Sequence, residues 1–153
     1  MESEYAEAKE QADSTNYAVL PISKMFDKKL LNGQQDAPLT SQDIEVIDQL
    51  IHQAVQSYNA NQIAFYKTWR EENPNSNFYG EDSLIDLTKY KRQYFCAVNN
   101  EGEKEVWVNC FCDESKGWRT GLVFVLDGGK CYFQMTLNLH TKEIFDFGTN
   151  GEA

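Results

Sequence analysis

Cys96, Cys110, Cys112 and Cys131 are the residues whose chemistry has to be placed first. Four thiolates in a tetrahedron bind zinc well, but structural zinc sites take cysteine pairs from tight turns, with two residues between them. Cys110 and Cys112 are instead two apart in a strand-like run, where such positions stand roughly 6–7 Å from each other. Cys96 and Cys131 fall among apolar residues, a setting in which cysteine behaves as a small hydrophobe. Core thiols are the expectation, a disulfide comes second and a metal site third. No cofactor is implied.

The two histidines suggest no catalysis. His52 lies one residue past the apolar stripe of a helix and His140 lies at a turn, neither beside a Ser or Cys in a nucleophile setting. Asp127, next to Gly128 and Gly129, reads as a turn residue. Glu101, Glu103 and Glu105 with Lys104 read as a solvated strand edge. Phosphate-binding glycine loops, nucleophile elbows, zinc-protease helices and EF-hand loops are all missing from the sequence.

The aromatic residues are more informative. Phe95, Trp107, Phe111, Trp118 and Tyr132 are the candidate binding residues, because strand alternation turns Trp107 and Phe111 away from the core with Phe95 opposite Trp107. Large apolar side chains on an outer sheet face need a cover. The chain offers two, the segment from Tyr17 to Leu31 and a helix from Phe65 to Trp69. A partner protein is the third, since Trp and Tyr are favoured at interfaces, and a small ligand is the fourth.

The elements that must position these residues follow from spacing. Thr40 as N-cap with Asp43 three residues on resembles a capping box, and Leu39 and Ile44 have the spacing of a hydrophobic staple. Ile44, Ile47, Ile51, Ala54, Val55 and Tyr58 then recur every three or four residues, the mark of an amphipathic helix. Asn59-Ala60-Asn61 weakens the pattern before Phe65, Tyr66 and Trp69 resume it, so the stretch up to Pro74 reads as one helix or two. A shorter helix is expected over Ser23–Gly33.

Beyond Lys89 the chain reads as strands. A three-residue loop of Asn100-Glu101-Gly102 pairs Asn99 with Glu103 and puts Tyr94, Cys96 and Val98 on one face with Val106, Val108, Cys110 and Cys112. A four-residue loop would place Phe95 and Ala97 there instead; the first gives Gly102 its left-handed position. Gly128-Gly129 predicts a second hairpin, in which Leu122, Phe124, Leu126, Cys131, Phe133, Met135, Leu137 and Leu139 share a face. A short strand over Ile144–Phe147 closes the sheet. The fold class expected is α+β: an N-terminal helix or helices packed across one face of a four- to five-stranded antiparallel meander. Residues 1–16 are expected to be a flexible acidic tail and 17–153 a single domain.

This layout resembles the cystatin-like and nuclear-transport-factor-2-like folds. The Val106-Trp-Val-Asn-Cys-Phe-Cys112 run, the Asp127-Gly-Gly-Lys-Cys-Tyr-Phe133 run and the Asn150-Gly-Glu-Ala153 ending are similar to those of small uncharacterised proteins of Bacteroidetes-type bacteria. That likeness spans roughly the last two-thirds of the chain and implies no activity.

A net charge of −10 argues against nucleic acid or anionic membrane as partner. No run reaches the ~20 apolar residues of a membrane span. The first ten residues lack the basic and apolar regions of a signal peptide, leaving a cytoplasmic protein or an exported one whose leader was removed. Three functions remain open. The first is a non-enzymatic binding or protein-interaction domain using the aromatic outer face, with another protein or a second copy as partner. The second is a small enzyme or ligand-binding protein with a pocket between helix and sheet, its mouth lined from among His52, Tyr58, Arg119 and Asp127. The third is an acidic inhibitor or immunity protein for a basic partner.

Overall fold

The computed structural model describes residues 16–76 and 80–151, so the expected acidic tail, up to residue 15, lies outside the described residues. The elements are β1 (Tyr17–Val19), β2 (Gln35–Asp36), α1 (Ser41–Glu72), β3 (Lys91–Val98), β4 (Lys104–Phe111), β5 (Tyr132–Asn138) and β6 (Glu143–Thr149). One sheet runs β1-β3-β4-β5-β6, with β2 also on β3. β1 is parallel to β3 at Tyr17–Val19, and β2 is antiparallel to the far end of β3 at Gln35–Asp36. The fold is α+β, as expected. The sheet is mixed and has six strands, because two short N-terminal segments join the free edge of β3 end to end.

α1 begins where the sequence places it. The Thr40 hydroxyl accepts from Asp43 N at 3.1 Å and the Asp43 carboxylate accepts from Thr40 N at 2.9 Å, a complete capping box. Ile44, Ile47, Leu50, Ile51, Ala54 and Val55 are its buried stripe. The helix continues through Asn59-Ala60-Asn61 as one element of 32 residues. Asn59 has a tertiary role: its amide donates to Ile85 O at 2.9 Å and accepts from Ile85 N at 2.8 Å, tying the loop before β3 to the helix. Lys104 Nζ of β4 donates to the Asp43 carboxylate at 2.7 Å.

Burial pulls the Asp43 carboxyl up, but the hydrogen bonds from Lys104 and Thr40 outweigh it, and its pKa lies below the usual 3.8. A depressed folded-state pKa contributes stability above the unfolded value that is lost as pH falls through the folded one. Asp43→Asn is therefore expected to flatten the acid limb of unfolding free energy against pH between about pH 5 and pH 3, read by urea titrations at each pH. Equal acid slopes in both proteins would contradict the assignment.

The β3–β4 hairpin has the expected register: Asn99 N donates to Glu103 O at 2.9 Å, Phe95 faces Trp107, and Gly102 holds the left-handed φ of 78°. Tyr94, Cys96, Val106, Val108 and Cys110 join Phe133, Met135 and Leu137 of β5 in the core under α1.

The second hairpin does not form. β5 pairs over seven residues with β4, from Phe111↔Tyr132 to Glu105↔Asn138, while residues 122–126 pair with no strand. Gly128 and Gly129 do take positive φ, 94° and 59°, but they lead into a 3₁₀ turn at Gly129–Cys131. Phe133 is fully buried on the helix side, whereas Phe124 is half-exposed on the opposite side, so the shared face from Leu122 to Leu139 is overturned. The cause is competition for β5. Strand β4 already offers Val106, Val108 and Cys110 at the spacing of Leu137, Met135 and Phe133. Residues 112–131 then form one long loop that folds over the outer sheet face.

That loop is closed at its base by a Cys112–Cys131 disulfide, which corrects the expectation of core thiols for these two. Cys96 and Cys110 are the buried free thiols expected. The helix expected over Ser23–Gly33 is replaced by two 3₁₀ turns, Ile22–Lys24 and Lys28–Leu30. Extended chain between them lets Leu20, Ile22, Met25 and Leu31 reach down onto Phe95, Ala97 and Trp107. The sheet is thus buried on both faces.

Candidate binding surface

Strand alternation sends Phe95, Trp107 and Phe111 to the outer face, where the chain's own segments meet them. Phe95 and Trp107 lie 5.4 Å apart, centroid to centroid, beneath Leu20, Ile22, Met25 and Leu31. Phe111 and Trp118 meet edge to face at 5.8 Å with Ala18 and Val123 around them. Lys91 and Arg119 lie over the Trp118 ring at 5.3 and 4.3 Å. Tyr132 is half-buried against this group and donates its hydroxyl to Asp113 at 3.3 Å; burial first, then the neighbouring acid, raises its pKa. Of the five sequence candidates only Tyr132 keeps substantial solvent contact.

Between the aromatic groups runs a polar seam that fixes the loop. Gln93, fully buried, donates through Nε2 to Trp118 O and Gly121 O, both at 2.7 Å, and accepts at Oε1 from Val123 N and Asn109 Nδ2, both at 3.0 Å. Asn109 Nδ2 also donates to Val123 O at 2.7 Å. Asn150 Nδ2 reaches Val125 O at 2.5 Å and Asp127 O at 3.0 Å. Side-chain amides here do the work of a neighbouring strand, satisfying backbone groups that would otherwise be buried unpaired.

With the loop held this way, large apolar side chains stand in solvent above the outer face. Phe26 is 74% exposed and stacks at 4.6 Å on Phe124, 50% exposed, with Leu126 at 80% beside them. With Leu30 they rim a cavity of about 200 Å³ whose floor includes Trp107, Asn109 and Val123. Leu30 also borders a larger open groove of about 600 Å³ with polar walls, among them Glu101, Glu103, Glu105 and Asp146. Sequence reasoning missed Phe26 and placed Phe124 and Leu126 in the core. The alternation of Phe124 and Leu126 with valines is what a half-buried strand shows, and it carries no mark of the face on which the chain lies.

The residues offered for an enzymatic mouth do not converge. His52 is exposed on α1 with Nδ1 2.8 Å from Asp48 O, and Arg119 is engaged with Trp118. Tyr58 packs on Phe147 at 5.6 Å and borders a cleft of about 380 Å³ shared with Tyr66, Asp82 and Lys130. Among the described residues no three His, Cys, Asp or Glu side chains are gathered as a metal site. No helix of the described residues is long and apolar enough to cross a membrane. Compared with known protein families, curated proteins and solved structures, the chain matches none of them.

Proposed function

We propose that this is a non-enzymatic binding domain that docks a polypeptide on the outer side of its sheet, over the ledge formed by Phe26, Leu30, Phe124 and Leu126. The observation that supports it is the stacked Phe26–Phe124 pair with Leu126 beside it, all exposed and rimming a preformed cavity. Exposed aromatics stacked on each other beside a depression are what an interface hot spot needs, because the stack limits the ordering entropy lost on binding. The aromatic residues below act as its foundation rather than as its contact surface. The Cys112–Cys131 disulfide favours the exported alternative over the cytoplasmic one, since such bonds persist in oxidising compartments.

The test is selection of peptides from a random display library on the full chain. Enriched peptides are expected to share an aromatic or aliphatic anchor. Phe124→Ser with Leu126→Ser is expected to weaken them about tenfold or more while leaving the unfolding midpoint close to wild type, because Leu126 is largely in water and Phe124 is half-exposed and stacks on the exposed Phe26. Enriched peptides that bind the double variant as well as wild type, or a library that yields none, would overturn the reading.

A further inference from the structure

We infer that the groove beside the ledge is a receptor for a guanidinium group, so that a polypeptide seated on the ledge places an arginine side chain in it. This deepens the reading above and rests on it for the identity of the partner, but the groove can be tested alone. Leu30 lines both depressions, making them one continuous surface. Four carboxylates line the groove, those of Glu101, Glu103, Glu105 and Asp146, against the single ammonium of Lys29.

Two buried groups at the groove point to a ligand with several N–H donors. Glu105 is 6% exposed, and its carboxylate accepts only from Asn32 N at 2.9 Å and Asn32 Nδ2 at 2.8 Å, with no cation paired to it among the described residues. Thr136 lines the same groove at 6% exposure, and its hydroxyl oxygen has no hydrogen-bond partner among the described residues. An ionised carboxylate out of water gains most from an incoming cation, and an orphan hydroxyl gains from any donor. Guanidinium supplies both, with five N–H groups in one plane, where ammonium is a point charge.

Phe145, 42% exposed and paired across from Thr136, gives the groove an apolar flank on which a guanidinium plane can stack. No three of the acids are gathered as a metal site among the described residues. Glu103 already takes hydrogen bonds from Asn99 at 3.2 Å and Asn138 at 3.4 Å, the former being the main cause of its lowered pKa, so it is charged whenever the groove is offered a ligand near neutral pH. The groove fits the net charge of −10 and commits the surface to a basic segment.

The experiment titrates the full chain, ¹⁵N-labelled, with N-acetyl-arginine amide, and in parallel with N-acetyl-citrulline amide, which keeps the shape and removes the charge. The arginine probe is expected to give saturable shifts at the amides of Glu101, Asn138, Phe145 and Asp146 that shrink with added salt. Citrulline is expected to bind at least about fivefold more weakly. Glu101→Gln with Asp146→Asn is expected to weaken the arginine probe by a similar factor. Asparagine is suited to position 146, where φ is 55°, so the fold survives the change. Phe124→Ser with Leu126→Ser is expected to leave the arginine probe unaffected. Equal shifts with citrulline, no saturation, or an unchanged affinity in the Gln/Asn variant would each overturn the guanidinium site. None of these results touches the peptide selection on the ledge, whose failure would leave the groove standing with another source of its cation.

Discussion

Gln93→Ala is expected to lower unfolding free energy by roughly 3–5 kcal/mol, the largest effect of any single polar substitution in this chain. A primary amide has two donors and two acceptor lone pairs, and Gln93 uses all four in a site with no solvent contact. Its removal strands the carbonyls of Trp118 and Gly121 and the N–H of Val123, each costing about 1 kcal/mol or more where water cannot enter. A cavity under the loop adds to that. Gln93→Met separates the two contributions: it restores most of the volume and none of the hydrogen bonds, and is expected to recover less than about half the loss. Urea unfolding of both variants reads the sum, and amide exchange at residues 118–123 reads the place. A loss below about 1 kcal/mol in Gln93→Ala would mean that the loop does not depend on this amide.

The same residue explains why part of the fold was hidden in the sequence. The β3–β4 hairpin was legible because a three-residue loop gives Gly102 its left-handed position, and one register follows from it. The start of α1 was legible because Thr40 and Asp43 are local partners. Residues 121–139 were not, although their pattern was the strongest in the chain. Alternation shows that one side of a segment is buried, but is silent about what supplies its backbone hydrogen bonds. Gln93, Asn109 and Asn150 supply them here, and they come from 14 to 30 positions away.

The candidate surface was legible to a similar depth. Trp107 and Phe111 do turn outward from the helix side, as alternation requires, and the segment from Tyr17 to Leu31 is one of the two covers the chain offered. What reaches solvent is decided a layer higher, by which residues of the cover point down. Met25 goes in and Phe26 goes out, a choice made by a 3₁₀ turn too short to leave any periodicity. Asn59 illustrates the converse: it weakens the helix pattern yet belongs to the helix, because its amide is needed by Ile85.

Cutting the Cys112–Cys131 bond is expected to cost about 3 kcal/mol, the chain-entropy value for a closed loop of roughly 20 residues. The fold should survive, since β4 and β5 still pair at Phe111↔Tyr132 and Cys112 N still donates to Cys131 O at 2.9 Å. Local consequences should exceed global ones. The loop that carries Phe124 and Leu126 would be held by Gln93, Asn109 and Asn150 without its base, so peptides selected on the ledge should bind Cys112→Ser/Cys131→Ser several-fold more weakly. Exchange with the other two thiols is suppressed, because burial pushes Cys96 and Cys110 each up to about 12 and leaves almost no thiolate near neutral pH. Alkylation of the denatured chain should therefore mark two cysteines before reduction and four after it. Four marked without reductant would show that the loop closes by packing and side-chain amides alone. In that case the serine pair should leave both stability and peptide binding where they were.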